Sequence, residues 1–419
     1  MKHQSWPTVR LAETVDLLCG FAFKSNQFTD NPDDVPLVKG ANVHQGFIDW
    51  ADSKYWPRID TSKHDRYFLQ TNDVVLAMDR PWIESGLKYS WIRSHDPKSL
   101  LVQRCARMRG VNGLASSYLR FIIGSHQFTD YIKPIVTGIN VPHISADQIK
   151  GFSFALPPLP TQRKIAGVLS AYDDLIENNT RRVAILEELA QALYREWFVH
   201  FRYPGHDHTP LVDSPLGKIP QGWKVRPLGE VAVITMGTSP KGDTYNEKGD
   251  GTPLINGPVE FGERFTKQVK WTTAPSKFCK ESDLVVCVRG STTGKYVQSN
   301  GVYCLGRGVC GLSSKYQCFV NLLFANERSA LLAQTGGSTF PSWTGSQLKL
   351  HPVISPPDEL LGRFEELVQP MSVAVLVYSR QMQNLRQTRD LLLPKLISGQ
   401  LDVADLDIDT GEPLGEATT

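Results

Sequence analysis

Residues 157–201 read PPLPTQRKIAGVLSAYDDLIENNTRRVAILEELAQALYREWFVHF, and this stretch decides the architecture. After Pro157, Pro158 and Pro160, a row of Ile165, Tyr172, Asn179, Leu186 and Leu193 recurs every seven residues. A second row, Leu169, Ile176, Val183, Ala190 and Trp197, lies four residues on. Such a and d rows, held for five heptads, predict a coiled-coil seam rather than a merely amphipathic helix. Ser170 with Asp173 three residues later has the form of a capping box. The long helix is therefore expected from there to about Val199, roughly 43 Å at 1.5 Å per residue.

The frame returns at an offset of 199. Phe364, Met371, Tyr378, Leu385 and Leu392 match the first row, and Val368, Val375, Met382, Arg389 and Leu396 match the second. Pro356-Pro357 repeats Pro157-Pro158, and Pro370 falls opposite Ala171, the expected first helical position, where proline is tolerated. Two unrelated helices would not keep register for five heptads. A period near 200 is far outside solenoid repeats, so the chain reads as a duplicated half: globular segment, long helix, globular segment, long helix. Asn179 in an a row either fixes register or lies on a solvated edge of the seam. Arg389 in a d row makes the two helices non-equivalent.

The globular segments agree in outline. Trp6, Leu11 and Gly20 match Trp223, Leu228 and Gly237; PLVKGANV matches PLINGPVE; NDVVLAM matches SDLVVCV; GINVPHISADQIK matches GSTFPSWTGSQLK. The offset falls from 217 through 210 to 199, so the first copy has longer middle loops. Short strand-like runs beside helical ones, such as SYLRFIIGSHQFTDYI, predict an α+β fold. One scaffold with different loops suits two readers of different ligands. The domain boundaries follow: 1–155, helical 156–200, a Pro/Gly-rich linker 201–222, a second domain 223–355, helical 356–400, and an acidic tail 401–419 expected to be extended.

Charge is distributed by segment. Residues 1–156 carry a net +3 and 213–355 a net +6, against −1 for 157–212 and −6 for 356–419. Basic globular units on neutral-to-acidic helices suit a polyanion for the former and a protein for the latter. No run approaches 18 apolar residues and MKHQSWPTVR has no apolar signal core, so a soluble, cytoplasmic protein is expected. Seven cysteines without a CxxC read as buried free thiols. His206 and His208 lack further ligands at metal spacing, and no metal is expected.

The runs GFAFKSNQF, LAMDRPWIESGLK, TGINVPHIS, LPPLPTQRKIAGVLSAYDDLIENN, EWFVHFRYPGH, LGKIPQGW and TRDLLLPKLISGQLDV resemble the specificity subunit of type I restriction-modification enzymes, in order and over nearly the whole chain. The resemblance implies two target-recognition domains separated by two long helices that pack antiparallel. Each domain would read one half of a split, asymmetric DNA site, with the helices as the ruler between them. It also implies double-stranded DNA and two methyltransferase subunits as partners, and admits an ATP-driven nuclease subunit. S-adenosylmethionine would belong to the methyltransferase, and ATP with magnesium to the nuclease; no cofactor is expected in this chain.

Catalytic machinery is missing from the sequence. GSTTGK (Gly290–Lys295) is one residue short of a phosphate loop, and Tyr296 stands where Ser or Thr would hold magnesium. The Pro-Pro pairs of ALPPLP and SPPDE lack the flanking residues that hold a flipped adenine, and Asp79–Trp82 (DRPW) has one proline too few. No glycine-rich turn for S-adenosylmethionine and no Ser/His/Asp order is present. The expectation is recognition without catalysis. Its candidates are Lys24, Lys39, Asn42, Arg80, Trp82, Lys88, Asn140 and His143 in the first domain. In the second they are Asn256, Arg289, Ser291, Thr292, Lys295, Thr339 and Ser342. Arg and Lys suit guanine, Asn suits adenine, and hydroxyls with lysine suit phosphate. The rival readings are a coiled-coil scaffold without DNA readout and a self-sufficient methyltransferase.

Overall fold

The computed structural model describes residues 6–83, 86–136, 142–335 and 341–408. The chain forms two compact units, Met1–Glu177 with Met382–Thr419, and Asn178–Gln381. Each holds one globular domain and a length of both long helices, α1 (Leu159–Tyr194) and α2 (Asp358–Ile397).

In the first unit, β1 (Val15–Cys19), β2 (Val74–Ala77), β3 (Tyr89–Trp91) and β4 (Cys105–Gly110) form an antiparallel sheet in the order β1-β4-β2-β3. In the second, β5 (Val233–Met236), β6 (Leu284–Cys287), β7 (Tyr296–Gln298) and β8 (Val309–Ser313) repeat it as β5-β8-β6-β7. Beside each lies a second sheet, three-stranded in the first unit and five-stranded in the second, containing one parallel pair: Leu37 with Leu100, and Leu254 with Cys304. Gly20 and Gly237 are alike for a steric reason. A Cβ there would meet Val102 O at 2.2 Å and Gly306 O at 2.1 Å, so both copies need glycine where the sheets join. Thr8–Arg10 pairs with Ser153–Ala155, and Lys224–Pro227 with Pro352–Ser355, closing each domain just before its helix begins.

The helices run antiparallel within each unit. In the first, Ile165 and Leu169 share a core with Leu396, Ile397 and the sheet residues Leu76 and Met108. In the second, Trp197 packs tilted and Phe198 edge-on against Phe364, with ring centroids 5.8 and 4.8 Å apart. Each such side chain withdrawn from water contributes roughly 1.5–3 kcal/mol. Ile165, Leu169, Asn179, Val183, Trp197, Phe364, Val368, Val375, Met382 and Leu396 are buried. Tyr172, Ile176, Leu186, Leu193, Met371, Tyr378, Leu385 and Leu392 are half-buried. Asn179 is inside the seam, and its Nδ2 donates to Gln381 Oε1 at 3.3 Å.

Four local expectations are corrected. α1 begins at Leu159, not at Ser170. The buried Gln162 amide ties the first turn down, donating to Gly113 O and Pro157 O at 2.8 Å and accepting from Ala115 N at 2.9 Å. Ser170 lies inside the helix, bonded to Ala166 O, and Asp173 points to arginines rather than to a cap. Pro370 is interior to α2; packing of Phe364, Val368 and Val375 on either side outweighs its intrinsic cost of about 3 kcal/mol. The stretch 201–222 contains a hairpin, Leu211–Ser214 with Gly217–Pro220, while Phe201 and Tyr203 pack on Trp223. The tail is not extended through 401–408: Val403 is buried, and Lys164 Nζ donates to Ala404 O at 2.5 Å.

All seven cysteines are free thiols, Cys19 exposed and the other six buried. Burial pushes the Cys105 and Cys310 thiols up to about 12. Among the described residues, no helix is long and apolar enough to cross a membrane and no His/Cys/Asp/Glu cluster could hold a metal ion.

Candidate nucleic-acid interface

The first domain carries a cleft of about 850 Å³ where the two sheets meet. Lys24, Lys39, Arg80 and Lys88, all singled out by sequence, line it together with Arg104 and Asp79. Five cations against one carboxylate make it a polyanion-attracting groove. Lys24 and Arg80 are exposed and Lys39 half-buried. Arg80 has φ +45°, a left-handed conformation uncommon outside glycine, and its N–H donates to Pro142 O at 2.8 Å.

Three candidates in this domain have other duties. Asn42 is wholly buried: its Oδ1 accepts from Lys39 N at 2.9 Å, and its Nδ2 donates to Leu37 O and Ser53 Oγ, both at 3.1 Å. Every polar atom of its amide is occupied, so it shapes the Lys39 loop and has no edge for adenine. Lys88 is 9% exposed, and its ammonium donates to Gly40 O. Desolvation lowers its pKa, and the ammonium is committed to the backbone of the cleft wall rather than free for a ligand. Trp82 packs half-buried on the domain core. Asn140 lies outside the described residues.

His143 and Asp79 meet by an isolated bridge, and His143 Nδ1 lies 2.5 Å from Asp79 Oδ1. The other carboxylate oxygen of Asp79 is 3.1 Å from Arg104 Nη1. Sequence reading missed both Asp79 and Arg104. Arg104 is one of three arginines in QRCARMRG, and only strand register separates them. Arg107 is taken by Asp16 at 2.6 Å, and Arg109 is held bidentately by Asp73 at 2.7 and 2.9 Å.

In the second domain Gly290–Lys295 is a hairpin turn between β6 and β7. The N–H groups of Thr293, Gly294 and Lys295 donate to Gly290 O, Cys287 O and Thr292 O. Amides that would face a phosphate in a nucleotide loop are therefore occupied internally. Thr293, buried, locks the turn by donating to Gly290 O and Pro341 O at 2.8 and 2.7 Å. Ser291 and Lys295 are exposed and Thr292 half-buried. Lys295 edges a hollow of about 330 Å³ that also holds Arg328 and Glu263. Asn256 is exposed, on a loop whose Asn256 and Gly257 N–H groups are gathered by the buried Glu260 carboxylate at 3.2 and 3.1 Å. Thr339 lies outside the described residues.

Arg289 and Ser342 form an isolated bridge that repeats Asp79 and His143 position for position. The next residues, Arg80 and Gly290, are both left-handed, with φ +45° and +85°. One backbone site thus presents a carboxylate in the first domain and a guanidinium in the second. Of the candidates, the exposed Lys24, Arg80, Asn256, Arg289, Ser291 and Lys295 are available to a ligand.

The family model described as type I restriction modification DNA specificity domain matches residues 3–188 and 220–360. The chain is 26% identical over 310 residues to the type I restriction enzyme MjaIX specificity subunit of Methanocaldococcus jannaschii, spanning 70% of this chain and 71% of that one. It is 33% identical over 189 residues to the EcoAI specificity subunit of Escherichia coli, spanning 45% of this chain and 31% of that one. The crystal structure of a type I restriction-modification S subunit from M. genitalium has the same fold, with a TM-score of 0.64 at 14% identity over 94% of this chain and 96% of that one.

Proposed function

The chain belongs to the type I restriction-modification DNA specificity family, and we propose that each of its domains reads one half of a split, asymmetric DNA site. As a specificity subunit it recognises DNA sequence and is not itself the catalyst; a coiled-coil scaffold without DNA readout is not favoured. The reading rests on one observation above others. Two domains share sheet order and register, yet the same bridge position holds Asp79 in one and Arg289 in the other. A scaffold kept while its displayed charge reverses is what two different half-sites require.

Lys24, Lys39, Arg80 and His143 would serve the first half-site. Asn256, Arg289, Ser291, Thr292, Lys295 and Ser342 would serve the second. The long helices would dock two methyltransferase subunits and, in a full system, nuclease subunits. Exposed Ile185 and Leu189 on the second unit's length of α1, outside the seam, support a protein partner there. Methylation of adenine from S-adenosylmethionine would be the partner's chemistry, and ATP with magnesium would belong to the nuclease.

Replacing residues 1–155 with the equivalent domain of a relative, followed by methylation-aware sequencing of the host genome, tests this. One half of the motif should change and the other stay. Change in both halves, or in neither, would refute independent readout.

A further inference from the structure

We infer that Arg104, positioned by Asp79, reads a guanine in the half-site of the first domain. This rests on the first domain being a DNA reader, and adds the residue, its support and the base.

Arg104 lines the cationic cleft with its side chain 68% exposed. Its backbone has φ +67°, a conformation that non-glycine residues hold only where the surroundings impose it. The imposition is visible: Arg104 O accepts from Met78 N at 2.8 Å, joining the turn to the end of β2, where Asp79 follows. Asp79 is 20% exposed and its two oxygens face different partners, Arg104 Nη1 at 3.1 Å and His143 Nδ1 at 2.5 Å. A carboxylate so engaged is poorly placed to accept from a base. It fixes the guanidinium instead, as an acid behind an arginine does wherever planar recognition needs a set orientation. The contact is an ion pair on Nη1, which leaves donors of the five for a ligand. The acceptor pair that a guanidinium fork matches in the major groove is O6 and N7 of guanine.

The second domain supplies the contrast. There the position of Arg104 is Gly308, whose carbonyl accepts from Val288 N at 2.9 Å in the same way. A Cβ on Gly308 would meet Asn256 O at 2.2 Å, so no side chain can stand there. Where the first domain has Asp79, the second has Arg289, exposed. The two domains therefore deliver a guanidinium from different backbone positions, and the acid that orients Arg104 has no counterpart. Asp79–Arg104 belongs to the readout of one half-site only.

The test uses full-length variants expressed in the host in place of the wild type, read by methylation-aware sequencing. Affinity across a salt series is measured on the complex purified through a tag on this chain. Arg104→Gly suits the left-handed backbone and should fold as well as the wild type; Arg104→Lys keeps the charge but loses the fork. Both should relax the same single position, a guanine, in one half of the motif, with the other half unchanged. At the cognate site Arg104→Gly should weaken binding about 5- to 150-fold. Asp79→Asn should relax that position and no other. An intact motif in both Arg104 variants would overturn the inference. So would an Arg104→Lys protein indistinguishable from wild type beside an Arg104→Gly protein with a flatter salt slope, since that pattern marks a phosphate contact. An intact motif with Asp79→Asn would remove the positioning role. A wild-type chain that yields no two-part motif would instead refute the underlying reading of the domain.

Discussion

Asp173 Oδ1 accepts a hydrogen bond from Arg389 Nη1 at 2.7 Å, joining α1 to α2 inside the first unit. Its other oxygen lies 3.4 Å from Arg120 Nη2, and Arg120 sits over the Trp91 ring at 4.1 Å. The arginine that interrupts the d row is thus the partner of a carboxylate on the facing helix, and both are tied to the domain. Removing Asp173 leaves two poorly solvated guanidinium groups without it. Asp173→Ala should lower stability by about 3 kcal/mol, whereas Arg389→Leu, restoring an apolar d residue, should cost far less. Urea unfolding of the full chain checks the order; equal losses would mean that the ion network is incidental.

The second unit solves the same junction differently. At the offset of 199, Asp173 and Arg389 correspond to Ser372 and Ala190, and both line a hollow of about 290 Å³. Smaller side chains at these positions account for the space. Ala190→Leu should fill part of it and raise stability by about 1 kcal/mol, measurable as a higher unfolding midpoint; a lower one would show that the hollow cannot accept an isobutyl group.

Asn72 and Ser282 occupy equivalent turns before β2 and β6, with φ +67° and +76°. Asparagine tolerates this conformation and serine less so. Ser282→Gly should therefore stabilise by roughly 0.5–1 kcal/mol, and Asn72→Gly by less. Thermal unfolding of the two variants side by side decides it.

Lys295 is exposed on the turn after β6. If it neutralises a phosphate, Lys295→Ala should flatten the slope of log affinity against log salt by about one without altering the motif. A changed motif with an unchanged slope would assign Lys295 to a base instead.

Alkaline pH should destabilise the protein. Burial raises Cys105 and Cys310 from 9.0 to about 12, and Tyr89 from 10.0 to about 12. Between these values the unfolded chain loses protons that the folded chain keeps. Stability is fully present below about pH 9 and falls as pH rises towards 12, each group contributing a slope of about 1.4 kcal/mol per unit. Cys310→Val should reduce the slope by one proton's worth between pH 9 and 11; an unchanged slope would mean that the thiol is not desolvated in solution.

The heptad rows were legible because a seam needs only periodicity, and every a and d residue named from the sequence except Arg389 is an apolar, aromatic or amide group that packs or pairs there. The duplication was legible for a related reason: strands such as Val74–Ala77 and Leu284–Cys287 keep the same apolar run because each is buried at the same place in its own domain. Individual binding residues were less so. Asn42 and Lys88 have the right chemistry for DNA, yet Leu37, Ser53 and Gly40 claim them.

Hydrophobic period and internal repetition are properties of the chain alone, so the residues suffice to show two α+β domains alternating with two seam-forming helices, and loops that differ between them. Tertiary structure decided the rest. Lys88 reaches a carbonyl 48 residues away, and Arg104 an acid that only the pairing of β2 with β4 brings near. Whether a polar side chain is a strut or a reader depends on which partners the fold delivers within about 3 Å, and local sequence carries no record of that distance.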